Sequence, residues 1–201
     1  MATTNLLVLH TLRCGGYASV SRLAATTGQT ESEVESDLID LGVEGLVTRV
    51  DGSWGLTEAG RAADTERVAA ELESAGARSM VNRALKRFLA LNPELLDLSA
   101  AWQLRPVEGA SVLNDHSDAE YDARVLTLFE NLDRRVAPIL AEVSEALPRF
   151  SRYRIRLAEA LQRAGEGELA YVADGTASYH AVWAELHEDL LVTLGMPRWT
   201  R

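Results

Sequence analysis

Residues 19–61 read SVSRLAATTGQTESEVESDLIDLGVEGLVTRVDGSWGLTEAGR, and this stretch decides the fold. Ser19 precedes one short apolar pattern, and Thr30 with Glu33 precedes a second. Serine and threonine side chains accept hydrogen bonds from the first free N–H groups of a helix, and a glutamate three residues later returns one. The stretch therefore predicts two short helices, joined by a tight turn at Gly28.

A β-hairpin is predicted directly after the second of these helices. The apolar residues of that helix recur at i, i+4 and i+7, and residues 46–50 and 53–56 then form two short strand patterns. Asp51-Gly52 between them is a strong two-residue turn signal, because both turn positions need a positive φ. Upstream, a stripe of leucines predicts a further helix that ends at Gly15.

The order helix, helix, turn, helix, hairpin over residues 3–61 resembles the winged helix-turn-helix family of bacterial regulators, and MarR-like proteins in particular. The matching stretches are residues 23–28, 41–47 and 54–61. The resemblance implies a DNA-binding transcription regulator in which the second helix of the motif enters the major groove. Carried over by position, the DNA-facing residues are Arg22, Thr30, Ser32, Glu33, Ser36, Asp37 and Arg49.

The charge of this second helix departs from the family pattern. Residues 31–44 contain six acidic residues and no basic one, and residues 1–60 hold three arginines against eight acidic groups. Carboxylates repel phosphates, whereas DNA affinity depends on neutralising phosphates. Two functions stay open: DNA binding held mainly by Arg22 and Arg49, or docking of the acidic helix on a basic surface of a protein partner.

The rest of the chain is predicted to be helical. A long helix from Glu58 to about Leu91 is a candidate dimerisation element, so a homodimer is expected. Further helices are predicted over 93–104, from a Ser117 and Glu120 capping box to 147 with a kink or end at Pro138, over 151–164 and over 177–194, with a loop at 105–117. The expected fold class is mostly α with a small β-hairpin wing: a winged helix-turn-helix domain at 1–61 and an all-helical dimerisation or sensing domain at 62–201.

Two polar groupings in the second half are candidate ligand-binding residues. The first, a polar segment at a helix start that suits an anion or a polar ligand, comprises Asn114, Asp115, His116 and Tyr121. The second lies on the last predicted helix and comprises Tyr179, His180, Trp183 and His187. The alternatives are loop residues that merely cap a helix, and histidines that pack on tryptophan.

No tightly bound metal or other cofactor is expected in this protein, and the argument rests on the two histidines of the last helix. The helical rise places His180 and His187 ~10 Å apart along the axis, too far for both to bind one ion. The single cysteine, Cys14, lies in an apolar helix and is expected to be a buried side chain rather than a redox sensor.

The second half also resembles a known kind of domain. Residues 114–116, 121–122 and 178–190 are similar to a domain that accompanies a winged helix in actinobacterial proteins of pyruvate phosphate dikinase type. The resemblance implies a regulatory or accessory partner of a phosphotransfer enzyme.

Residues 149–156, RFSRYRIR, interleave four arginines with aromatic residues. Such a segment suits an anion or a nucleic acid. The alternative is a set of salt bridges to the many carboxylates of the helices.

Composition narrows the remaining function classes. The chain has 201 residues, 47% of them hydrophobic, and a net charge of −10, which disfavours broad non-specific binding to nucleic acid. Its longest apolar runs are far shorter than the ~20 residues of a membrane span, and the sequence shows no signal-peptide pattern. A single cysteine fits a reducing cytoplasm. The sequence carries no nucleophile elbow, P-loop or dinucleotide fingerprint, so an enzyme is not expected.

Overall fold

The computed structural model of the protein describes residues 2–196, with side chains from Asn5 onward. It is mostly α-helical with small antiparallel hairpins, which confirms the expected fold class. The helices are α1 (Ala2–Gly15), α2 (Val20–Thr27), α3 (Glu31–Val43), α4 (Glu58–Ser74), α5 (Arg78–Leu89), α6 (Asn92–Gln103), α7 (Ala119–Ala146), α8 (Ser151–Gly165), α9 (Ala170–Ala173) and α10 (Tyr179–Thr193). The strands are β1 (Val47–Val50), β2 (Ser53–Leu56), β3 (Leu104–Val107) and β4 (Ala110–Leu113).

The chain divides into two compact units. The first contains residues up to Val81 together with residues from Glu188 onward, and the second is Asn82–His187. The boundary expected at residue 61 therefore differs from the structure, in which α4 contacts α1 and β2. Because Val68 and Leu72 of α4 are buried apolar side chains, this helix stays with the first unit.

The first unit has the winged helix-turn-helix order of elements. Thr30 and Glu33 form the expected capping box at the start of α3, and the Ser19 hydroxyl accepts a hydrogen bond from the Arg22 N–H at the start of α2. The β1–β2 turn has positive φ at Asp51 (48°) and at Gly52 (81°), as the hairpin signal requires. The core side chains of the first unit include Val8, Leu9, Leu12, Leu23, Val34, Leu38, Leu41, Leu46, Val47 and Leu56.

The long helix expected over residues 58–91 is wrong, since the structure breaks it into α4 and α5. Gly76 between them adopts φ 59°, and the Ala77 N–H donates to the Leu72 carbonyl at 3.2 Å. A left-handed glycine just past a helix end satisfies the last carbonyls and stops the helix. Within the described chain, no large hydrophobic side chain is exposed on α4. The structure therefore does not contain the long helix from which a dimer was expected.

The second unit differs from the expectation in its loop. Residues 105–117 contain most of a second hairpin, β3–β4, whose turn has positive φ at Glu108 (50°) and Gly109 (84°). The unit is therefore not entirely helical. The turn angles repeat those of the β1–β2 turn, but the side chains of β3 and β4 are mostly exposed and so give no core pattern.

The start and course of α7 also differ from the expectation. Its N-cap is Asp118, whose carboxylate accepts the Tyr121 N–H at 2.9 Å, so the capping box of Ser117 and Glu120 is wrong. The helix continues through Pro138 to Ala146. Between residues 2 and 196, no helix is both long enough and apolar enough to span a membrane, and this includes α7.

Candidate functional site

The exposed face of α3, defined by Ser32, Glu35, Ser36, Ile39, Asp40 and Val43, is a candidate interaction surface. We call it the α3 face. Its two aliphatic side chains are open to solvent, with Ile39 63% and Val43 85% exposed. They are four residues apart and therefore adjacent on the helix surface. Exposed aliphatic side chains beside carboxylates on one helix mark a surface suited to a partner.

Asp37 and Glu33, both expected to face DNA, are engaged within the protein instead. Asp37 is buried and accepts a hydrogen bond from the Gln29 amide at 2.9 Å, so its outward placement was wrong. The Glu33 carboxylate accepts from both the backbone N–H and the hydroxyl of Thr30 at 2.7 Å. These bonds hold the pKa of Glu33 below its ordinary value. Thr30 and Glu33 thus serve the helix start, although both are exposed, and Ser32 and Ser36 are exposed on α3 as well.

The two expected phosphate contacts have different settings. Arg49 is exposed on β1, with its guanidinium carbon 5.7 Å from the centre of the Trp54 ring. Arg22 is half-buried near the start of α2. The Trp54 strand is held to Ala18 by two backbone hydrogen bonds of 2.8 and 2.9 Å, which positions the wing. Arg49 is therefore the more accessible of the two cations.

The polar loop expected to bind a ligand joins the second hairpin to α7. The Asn114 amide donates to the Trp102 carbonyl at 3.0 Å and to Asp122 at 2.8 Å. His116 Nδ1 lies 3.0 Å from Asp122 Oδ2, and its ring is 4.8 Å from that of Trp102. The Tyr121 hydroxyl donates to backbone carbonyls of residues 101 and 104.

Asp115, on the same loop, is exposed and accepts from the Ser117 hydroxyl at 2.7 Å, which holds its pKa below the ordinary value. The loop residues therefore bond mainly to one another and to the backbone, as expected of residues with a structural role.

Two of the candidate ligand residues on α10 belong to the core. Trp183 is stacked on Phe88 with ring centres 4.5 Å apart, and its indole N–H donates to Asn92 at 3.1 Å. The Tyr179 hydroxyl donates to Asp133 at 3.4 Å. Burial, together with the nearby Asp133 carboxylate, raises the pKa of Tyr179 far above its ordinary range. Fully buried aromatic side chains of this kind stabilise the second unit and leave no room for a ligand.

The two histidines of α10 are only partly buried. His180 Nδ1 lies 2.9 Å from the Ser99 hydroxyl, and the His187 ring is 5.7 Å from that of Phe88. A small cavity of about 190 Å³ lies elsewhere in the second unit, lined by Ala170, Tyr171, Gly175, Thr176, Ala177 and Ser178. None of the expected ligand residues lines this cavity, so the structure does not join them into one pocket there.

The arginine segment 149–156 is tied to carboxylates and aromatic rings. Arg154 contacts Asp133 and Arg156 contacts Glu185, each at 2.6 Å. Arg152 is buried and donates to the Tyr153 hydroxyl at 3.0 Å. The salt-bridge alternative therefore describes this segment better than an open anion patch.

The first unit contains a buried polar centre that the sequence did not predict. His10, with both ring nitrogens buried, has Nδ1 2.9 Å from Asp64 Oδ1 and Nε2 3.0 Å from Asp189 Oδ1. Cys14 Sγ lies 3.5 Å from the same Nε2. The Thr193 hydroxyl donates to Asp189 Oδ1 at 3.0 Å. The spacing of His10 and Cys14 was the only available signal, because Asp64 and Asp189 lie far away in the sequence.

Comparison with known proteins finds no matching family model, no matching curated protein and no matching solved structure.

Proposed function

We propose that the protein is a regulatory adaptor whose winged-helix unit docks on a basic surface of a protein partner through the α3 face. The observation that carries the proposal is the composition of that face. It exposes Ile39 and Val43 beside the carboxylates of Glu35 and Asp40, and α3 has no basic residue.

The physical argument rests on what each partner would meet at this helix. A DNA backbone would bring phosphates toward Glu35 and Asp40, and the repulsion would have to be overcome by other contacts. A basic protein surface would instead form ion pairs with these carboxylates. An apolar centre with a polar rim is also the usual anatomy of a protein interface, and Ile39 and Val43 supply such a centre.

The second candidate is a DNA-binding transcription regulator, as the family resemblance implies. Two observations favour it: the winged helix-turn-helix order of elements and the exposure of Arg49 on the wing. In that function Arg22 and Arg49 would hold the phosphates, while the acidic α3 would limit affinity.

A paired charge removal on the α3 face separates the two candidates. We expect Glu35→Gln with Asp40→Asn to weaken binding of a labelled amphipathic peptide rich in lysine and leucine by roughly 2- to 30-fold, since each exposed ion pair contributes ~0.2–1 kcal/mol. Fluorescence anisotropy over a salt series measures this. Glu33 and Asp37 are left unchanged in this variant, because their hydrogen bonds to Thr30 and Gln29 support the fold.

The matched control is Asp97→Asn with Glu145→Gln, which removes two exposed charges from the second unit. It should leave peptide affinity unchanged. The same variants are titrated with a labelled duplex from the region upstream of the gene. The DNA-binding candidate predicts three results: the wild type binds the duplex, the paired α3 variant binds it more tightly, and Arg49→Ala lowers the salt dependence of duplex binding by about one unit of slope. If all three are observed, the DNA-binding candidate is correct and adaptor docking is not.

The class of partner, the cellular location, the lack of enzyme activity and the oligomeric state are also proposals. The phosphotransfer enzyme implied by the resemblance of the second unit is the candidate partner class, and we propose a cytoplasmic protein that is not itself an enzyme. A homodimer also remains a proposal, although α4 exposes no large hydrophobic side chain that would favour it as the interface.

A further inference from the structure

We propose that His10 Nε2, Cys14 Sγ and the Asp189 carboxylate form a binding site for a divalent transition metal ion, with zinc as the best fit. The three donor atoms lie within 4.8 Å of one another and all belong to the first unit. Mixed nitrogen, sulfur and oxygen ligands of this kind suit zinc.

Helix geometry brings the first two ligands together. His10 and Cys14 are four residues apart on α1 and therefore lie on the same face, one turn apart. Asp189 comes from α10, so the ion would hold α1 against the end of the last helix. This short spacing is the one that His180 and His187 lack. The expectation of a metal-free protein rested on those two histidines and does not bear on His10.

Two of the three ligand distances are close to those that a bound ion requires, and the third, between Cys14 Sγ and the Asp189 carboxylate, is within 4.8 Å. Tetrahedral zinc with bonds of ~2.0–2.3 Å holds its ligand atoms about 3.3–3.6 Å apart. His10 Nε2 lies 3.0 Å from Asp189 Oδ1 and 3.5 Å from Cys14 Sγ. A small outward shift of the Asp189 carboxylate and an inward turn of Cys14 would complete the three-ligand set.

Asp64 provides the support that a metal-binding histidine usually has. Its Oδ1 lies 2.9 Å from His10 Nδ1, opposite the nitrogen that faces Cys14 and Asp189. A carboxylate at this position keeps the proton on Nδ1 and orients the lone pair of Nε2 toward the metal. Asp64 is therefore a positioning residue, not a ligand.

Metal binding releases the protons of its ligands, so the Cys14 thiol proton leaves to solvent as the divalent ion enters. His10, Asp64 and Asp189 are all fully buried, and three protein ligands leave the fourth tetrahedral position to a water molecule.

The test is cobalt substitution of the full-length protein. The chelator-treated wild type is loaded with Co²⁺, and we expect a thiolate-to-cobalt charge-transfer band, together with visible bands of tetrahedral intensity, at one equivalent per chain. Since Cys14 is the only cysteine in the sequence, a charge-transfer band identifies it as a ligand without any mutation. Zn²⁺ should displace the cobalt and raise the midpoint of thermal unfolding.

Variants add the supporting evidence. Asp64→Asn is expected to weaken metal affinity ~10- to 100-fold while the spectrum keeps its shape. His116→Gln, a matched change at a histidine outside the centre, should leave affinity unchanged. Absence of the charge-transfer band in the metal-loaded wild type overturns the proposal, as does a wild-type spectrum that His116→Gln abolishes.

Discussion

Gly60→Ala is expected to destabilise the first unit by ~3 kcal/mol or more, the upper range for overpacking a rigid site. Gly60 is buried near the start of α4, and a Cβ at this position would overlap the backbone carbonyl of Leu46. That carbonyl also accepts the Thr57 N–H at 3.0 Å, so it is held in place. Urea denaturation followed by circular dichroism measures the loss in the free energy of unfolding.

The matched control is Gly42→Ala on α3. An added Cβ there meets no atom within 4 Å, and Gly42 does not adopt a positive φ. Alanine is favoured over glycine within a helix by ~0.5–1 kcal/mol, so this variant should be slightly more stable than the wild type. Equal effects of the two substitutions would show that the close approach of α4 to Leu46 does not constrain the fold.

His10→Leu is expected to cost ~3–5 kcal/mol in metal-free protein, because removing one member of a buried ionic group leaves its partners uncompensated. The substitution keeps the volume of the side chain approximately, but it removes the contacts of both ring nitrogens with Asp64 and Asp189. Thermal and chemical unfolding in the presence of a chelator measure the effect.

Thr193→Val is the control for this second prediction. It removes the hydroxyl that donates to the same Asp189 carboxylate in the same buried region, at an expected cost of ~1 kcal/mol. If His10→Leu costs no more than Thr193→Val, the buried centre is not an ionic group and His10 packs there as an apolar ring.

Local signals in the first 60 residues were sufficient to predict the winged-helix elements. Thr30 and Glu33 are three residues apart and specify the start of α3 by themselves, and Asp51-Gly52 specifies a hairpin turn. Each signal involves only a few neighbouring residues, so no knowledge of the tertiary structure is needed to interpret it.

The helix break at Gly76 and the second hairpin could not be predicted with the same ease. A single glycine within a helical pattern costs only ~1 kcal/mol, so Gly76 is compatible with either a break or a continuous helix. Glu108-Gly109 resembles Asp51-Gly52, but the exposed strands on either side of it lack the alternation of a half-buried hairpin.

The candidate sites were even harder to predict from the sequence than the helix break and the second hairpin. The family resemblance placed Asp37 on the DNA-facing side of α3, but the side chain is buried and accepts a hydrogen bond from Gln29 in the preceding turn. The buried centre joins His10 to Asp189, which is 179 residues away. Such a pairing is set by tertiary packing alone, and a single sequence contains no trace of it.

The first unit is interrupted in the sequence by the whole of the second, which affects how the chain folds as it leaves the ribosome. At ~5–20 residues per second, translation of Asn82–His187 takes on the order of 5–20 s. During that interval α1 and α4 are already made, while the segment that carries Asp189 does not yet exist. A nascent chain therefore holds His10 and Asp64 without their third partner. The nascent chain also lacks Leu190 and Leu191, which are buried in the folded protein, so the core of the first unit is incomplete until the last helix is made.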